Sequence, residues 1–152
     1  MVIDKIEKRI IISSLLLMGL FVFSLLYAKN KYKSDVPECL PYDKAYEEPK
    51  VIKLNEKTFQ VFAVAQMWQF LPAEIFIPVG SEVDFYLTSK DVVHGFNISE
   101  KNVNMMAIYG NLNKTTVKFD KPGVYDIVCH EYCGVGHQNM RAQVIVNYPD
   151  AK

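Results

Sequence analysis

The sequence predicts an all-β sandwich of about 100 residues carried by one apolar N-terminal helix, and three observations predict it. Ile10 to Ala28 is an uncharged, apolar run of about 19 residues, long enough to cross the hydrocarbon core of a bilayer as a helix. Beyond residue 50 the apolar residues recur in short runs that alternate or are rich in β-branched and aromatic types. Glycine and proline punctuate those runs, and no stretch after residue 50 keeps a helical period.

Taken in order, residues 1–9 are a short tail, 10–28 a transmembrane helix, 29–50 a linker and 51–152 the β domain. The apolar run exceeds the roughly 7–15 residues of a signal-peptide core, so an anchor is preferred over a leader cleaved after Leu26-Tyr27-Ala28. Lys5, Lys8 and Arg9 before the helix are matched by Lys29, Lys31 and Lys33 after it, so the positive-inside count ties. The tail is too short to be a domain, which places the bulk of the chain outside the cytoplasm. The linker is charged and contains Pro37, Pro41 and Pro49, composition suited to lifting a domain off a membrane. Strands are expected at Thr58 to Ala65, Glu74 to Ile77, Val83 to Thr88, Thr115 to Phe119, Val124 to Cys129 and Ala142 to Tyr148, with turns at Gly80, Gly110 and Pro122-Gly123. Val83, Phe85 and Leu87 share one face, as do Ala142, Val144, Val146 and Tyr148, so each run lines one side of a core. The 17 basic residues equal the 17 acidic ones, which leaves no positive surplus for nucleic acid.

The chemistry is concentrated in Cys129-His130-Glu131-Tyr132-Cys133-Gly134-Val135-Gly136-His137-Gln138-Asn139-Met140. Cys129 and Cys133 are four apart, Cys133 and His137 four apart, and His137 and Met140 three apart. Thiolate and thioether donors select copper over hard cations. Zinc also takes Cys and His, but its structural sites have no use for Met. A mononuclear blue-copper site would be complete with His94, one cysteine, His137 and Met140, which leaves the second cysteine unexplained. Two cysteines can each bridge two metals, with one His for each ion, so the loop points to a binuclear centre. The blander readings are a disulfide between Cys129 and Cys133, a buried His94 bonded to a carbonyl, and Met140 as core filler; the clustering outweighs them. His130 reads as a surface or supporting residue, and Gly134 and Gly136 as positions that let the backbone turn closely around the metals.

These residues resemble a family. The run from Cys129 to Met140, with His94 in Asp91-Val92-Val93-His94-Gly95-Phe96, is similar to the CuA site of subunit II of haem-copper terminal oxidases, and the resemblance extends through Ala65 to Pro72, Ile77 to Gly80 and Lys121 to Tyr125. The short single-helix form is most similar to the B-family members. The resemblance implies a cupredoxin-like Greek-key sandwich that brings His94 and the cysteine loop to one end. It implies Cys129 and Cys133 as bridging thiolates, His94 and His137 as terminal imidazoles, Met140 as a thioether ligand and Glu131 as a ligand through its carbonyl. Implied partners are a haem-copper oxidase subunit I, a c-type cytochrome donor, and a copper chaperone with a thiol reductant for loading. The implied location is the cell membrane, single-pass and in contact with lipid, with the copper domain on the periplasmic side. Three histidines are too few to hold haem and a further copper, so oxygen reduction belongs to the partner.

The resemblance also touches weaker positions. Trp68 aligns with an aromatic residue near the cytochrome docking face and is the expected point where electrons come in; otherwise it is a core indole. The Glu131 carboxylate matches a magnesium ligand of the longer A-family subunits, a role that the B-family form argues against. Glu7, just before the helix, resembles a carboxylate at the mouth of a proton pathway into subunit I; otherwise it is a solvated charge. Cys39 has no assigned function. Two other readings stand beside the relay: a membrane-tethered mononuclear blue-copper carrier and a copper-binding assembly factor.

Overall fold

The computed structural model describes residues 4–32, 38–40 and 48–148, which fall into two compact units, Met1–Ser34 and Asp35–Lys152. The first is the helix α1 (Lys5–Tyr32). It exceeds the apolar run at both ends because Lys, Arg and Glu are good helix formers that continue the backbone ladder. Its start is set by a capping box: Asp4 Oδ1 accepts the Ile6 N–H, and the Asp4 N–H donates to Glu7 Oε2 at 3.0 Å. Glu7 therefore sits inside the first turn, not before the helix. Leu15, Leu16, Leu17, Phe21 and Phe23 are all exposed, so successive faces present apolar surface. The Lys5–Lys31 stretch contains an 18-residue window of mean hydropathy 2.4 and is long and apolar enough to cross a membrane. Ser13 and Ser24 hide their hydroxyls by donating to the carbonyls of Ile10 and Phe21.

The second unit is built of strands β1 (Glu38–Leu40), β2 (Lys50–Asn55), β3 (Thr58–Gln66), β4 (Gln69–Leu71), β5 (Glu74–Pro78), β6 (Ser81–Ser89), β7 (His94–Ile98), β8 (Val103–Ala107), β9 (Leu112–Phe119), β10 (Gly123–Val128) and β11 (Arg141–Asn147). They form two sheets, one ordered β1-β9-β6-β3-β2 with β4 added to β3, the other β5-β11-β10-β7-β8. The chain passes from the first sheet to the second at β5 and returns at β6. It crosses again for β7 and β8, returns for β9, and ends in the second sheet. These crossings make β3 with β6 and β5 with β11 parallel, while the other pairs are antiparallel. The inner faces meet in one core, where Phe96 contacts Phe70 and Phe85 with ring centroids 5.5 and 5.7 Å apart.

The six expected strands are present within a few residues. Five others are not legible in the pattern. Glu38–Leu40 falls inside the expected linker, yet it pairs with β9; Pro37 and Pro41 lie outside the described residues. Lys50–Asn55 is mostly exposed and is held as an edge by β3. Gln69–Leu71 is a short return strand on β3. His94–Ile98 and Val103–Ala107 contain Gly and Asn, poor strand formers, and become strands by pairing with each other. Consequently His94, which lies in none of the expected strands, is the first residue of one.

One end of the sandwich collects the turns that matter. The starts of β5, β7 and β11 and the ends of β3, β6 and β10 all lie there: Glu74 pairs with Gln143, Arg141 with Val128, and Ala65 with Ser89.

Candidate metal centre

The centre is assembled from three segments at that end: the turn around Trp68, the Asp91-to-His94 approach to β7, and the loop from Cys129 to Met140. His94 is placed by the sheet. Two residues on, Phe96 occupies the same face and is locked between Phe70 and Phe85, so His94 points into the same interior and is fully buried. The loop joins β10 to β11, and its neck is closed by a Cys129 N–H to Met140 carbonyl bond of 3.2 Å. Inside it, His137, Asn139 and Met140 donate their amides to the carbonyls of Gly134, Gly136 and His137, winding a short 3-10 turn over His137–Asn139.

These constraints bring the expected ligands together. One ligand atom each from His94, Cys129 and Cys133 lies within 4.8 Å of the others, and all three residues are buried. The two sulfurs are 3.8 Å apart, far beyond the roughly 2.05 Å of a disulfide, so both thiols are free. Cys133 Sγ is also 3.6 Å from His137 Nδ1 and 3.7 Å from Met140 Sδ, and the Glu131 carbonyl is 3.2 Å from Cys129 Sγ. The donors thus surround the pair of thiols. Burial, with the neighbouring thiol next, pushes the Cys133 pKa up from 9.0 to about 11. A metal that binds here displaces that proton.

A second observation fits a metal. His94 Nε2 faces Asp91 Oδ1 at 2.7 Å, whereas His94 Nδ1 is one of two buried side-chain polar atoms among the described residues with no hydrogen-bond partner, Thr88 Oγ1 being the other. A buried nitrogen lone pair beside two thiols is unsatisfied unless something electrophilic meets it. Copper suits the set better than zinc, because a thioether has been brought to the thiols.

Supporting residues surround this set. Trp68 is 43% exposed, which sets aside the core-indole reading. Its Nε1 donates to the Cys133 carbonyl at 3.2 Å. The indole occupies the space where a Cβ on Gly136 would lie and crowds that of Gly134, which has φ +115°. Gly136 is thus needed for the close approach of an indole, not for an unusual turn. His130 is exposed, and its ring covers Gly95 where a Cβ would otherwise stand. Asp91 was not singled out from the sequence, although the Asp91-x-x-His94 spacing was the available signal. Partial burial pushes its carboxyl up, but bonds from His94 and from the Met67 and Val92 amides hold it below the ordinary value. Glu131 and Glu7 are exposed, and Glu7 belongs to the separate helical unit. The Cys39 side chain lies outside the described part of the structure.

The family described as cytochrome c oxidase subunit II, periplasmic domain, matches residues 48–147, the span that holds every part of this centre. The chain belongs to that family. A cytochrome c oxidase subunit 2 of Thermus thermophilus is 35% identical over 96 residues, 63% of this chain and 71% of the relative. A chain of a haem-copper terminal oxidase dimer seen by cryo-EM is 43% identical, with a TM-score of 0.82, and the match covers 94% of this chain and all of that one. The periplasmic domain of subunit II from Bradyrhizobium japonicum, at 24% identity and TM-score 0.55, shares the fold over 59% of this chain and 84% of its own. Membership in the subunit II family, together with the His/Cys/Cys cluster, supports copper. It also implies a subunit I partner and makes the chain a membrane-anchored subunit whose β domain lies outside the cytoplasm.

Proposed function

We propose that this chain accepts electrons one at a time from a c-type cytochrome at a binuclear copper centre and passes them to haem in subunit I, where oxygen is reduced. The observation that carries the reading is the pair of separate, buried thiols 3.8 Å apart with an imidazole, a thioether and a carbonyl around them. Cys129 and Cys133 would bridge, His94 and His137 would each cap one side, and Met140 and the Glu131 carbonyl would complete the set. When bound, such a centre supplies a one-electron couple shared between two ions.

The protein's own part is to hold the ligands still and to keep them dry. His94 and Met140 are wholly buried and both cysteines nearly so, which excludes water from these four donors. The loop's internal amide bonds and the Cys129–Met140 closure leave its ligands little room to move. Rigidity of this kind lowers the rearrangement that accompanies gain or loss of an electron. Trp68 reaches from the surface to the Cys133 carbonyl, a short route from a docked donor to a bridging cysteine. We assign it as the point where the electron comes in. A mononuclear carrier would leave one of the two cysteines idle, and an assembly factor would need no buried, closed ligand cage.

Loading requires both thiols reduced in an oxidising compartment, so a copper chaperone and a thiol reductant are inferred partners. The inferred site is the cell membrane, with the copper domain facing the periplasm. Glu7 is assigned by position to the mouth of a proton pathway in subunit I, and its capping bond to Asp4 would hold it there.

The test is to load the full chain with copper in detergent, mix it with reduced c-type cytochrome and follow haem oxidation. The proposal expects one electron accepted for every two coppers. One electron per copper, or no oxidation of the cytochrome, contradicts it.

A further inference from the structure

We propose that Asp91 is a positioning residue for two parts of the centre at once: one carboxylate oxygen fixes the buried ligand His94, and the other fixes the turn that carries Trp68. The inference rests on the copper reading above. Asp91 Oδ1 lies 2.7 Å from His94 Nε2, and Asp91 Oδ2 accepts the Met67 N–H at 2.7 Å. Oδ1 also takes the Val92 N–H at 2.7 Å. The turn that carries the carboxylate is itself anchored: the Asp91 N–H donates to Ser89 Oγ at 3.2 Å, and that hydroxyl donates to the Val92 carbonyl at 2.5 Å.

The first arm decides which nitrogen of His94 is the donor atom. An ionised carboxylate only accepts, so the nitrogen facing it carries the proton, and the neutral ring keeps its lone pair on Nδ1. That is the buried atom without a protein partner. A carboxylate behind a ligand imidazole also makes the ring a stronger donor. His137 is built differently. Its Nδ1 lies 3.6 Å from Cys133 Sγ, its ring and that of Tyr132 pack edge to face with centroids 5.8 Å apart, and among the described residues no carboxylate is paired with it. The two histidines are therefore unequal donors, with His94 the stronger.

The second arm runs through the backbone. Met67 is held by Oδ2, and the next residue, Trp68, donates to the Cys133 carbonyl. A closed circuit results, in which His94 and Cys133 are joined through Asp91 and the Trp68 turn without passing through metal. Loss of the carboxylate should disturb the ligand and the indole together.

Trp68 is the one tryptophan in the chain, so its fluorescence reports that turn alone. The experiment compares the full chain in detergent with Asp91→Asn, which keeps one accepting oxygen, and Asp91→Ala, which keeps none. The expected result has several parts. Copper uptake at saturation stays at the wild-type level, copper affinity falls about 10- to 100-fold, and the reduction potential rises as the negative neighbour is removed. In the metal-free variants the Trp68 emission moves to the red and is quenched more readily by acrylamide, more in Asp91→Ala than in Asp91→Asn. Unchanged affinity and potential in Asp91→Asn, with circular dichroism matching wild type, overturn the His94 arm; unchanged Trp68 emission overturns the coupling. Should Asp91→Ala fail to fold, Asp91→Asn carries both readings. A wild-type chain that takes up no copper overturns the copper reading itself, a result distinct from any difference between variant and wild type.

Discussion

The two histidines of the centre reach it in opposite ways. His94 is fixed by the framework: it begins β7, lies beside Phe96 on the inner face, is wholly buried, and leans on Asp91. His137 is fixed by the loop: it starts a short 3-10 turn, is only partly buried, and is held by amide bonds within ten residues of itself. One side of the site is thus as stable as the sandwich, while the other is as stable as its local hydrogen bonds. The difference teaches where mutations should act globally and where locally.

The largest effect is expected on the framework side. Phe96→Ala empties the space between Phe70 and Phe85 and should cost about 3–5 kcal/mol, measured by urea unfolding, with copper affinity falling because His94 loses its seat. A stable variant with normal affinity would break the comparison. Next is the loop's thiol. With its pKa raised from 9.0 to about 11 in the folded metal-free protein, Cys133 contributes stability that is fully present below pH 9 and lost as pH rises through about 11. The loss is at most about 2–3 kcal/mol, the full free energy of such a shift, and less to the extent that solvent screens the thiolate. Unfolding of a metal-free 35–152 fragment at several pH values should show it, and Cys133→Ser should remove it.

A smaller effect is expected from Gly136→Ala, whose new methyl would meet the Trp68 indole. Overpacking of that kind costs about 1–3 kcal/mol; a crystal structure or the Trp68 emission should show the ring displaced while β7 and His94 stay in place. Movement of His94 instead would mean the two sides are not separable. The smallest is Trp68→Leu, which should leave copper content intact and slow reduction by cytochrome c about tenfold, equivalent to about 1.4 kcal/mol of barrier. Stopped-flow kinetics read it, and an unchanged rate removes Trp68 from the path.

The loop side was the more legible in the sequence. Cys129, Cys133, His137 and Met140 are close in the chain, so their spacing alone placed them in one loop, and alternation located the long strands of the core. The framework side was obscured because its information is non-local. His94 on β7 depends on pairing with Ala107, which no local pattern in His94-Gly95-Phe96-Asn97-Ile98 reveals. The partnership of Asp91 with both His94 and Met67 spans 24 residues of sequence on one arm and needs the fold to exist first. β1 was hidden for the same reason, being a short charged segment that becomes a strand by adding to β9. Glu7 looked like a residue outside the helix since the apolar run begins after it, whereas the capping box reaches back to Asp4.

The central claim is that both cysteines bridge one binuclear centre shared between the framework and the loop. Low-temperature EPR of the copper-loaded full chain, set beside Cys133→Ser, tests it most directly. The account predicts a hyperfine pattern from one electron spread over two near-equivalent coppers in the wild type, collapsing to a mononuclear pattern with half the copper in the variant. A mononuclear pattern in the wild type, or a binuclear one that survives Cys133→Ser, would contradict it.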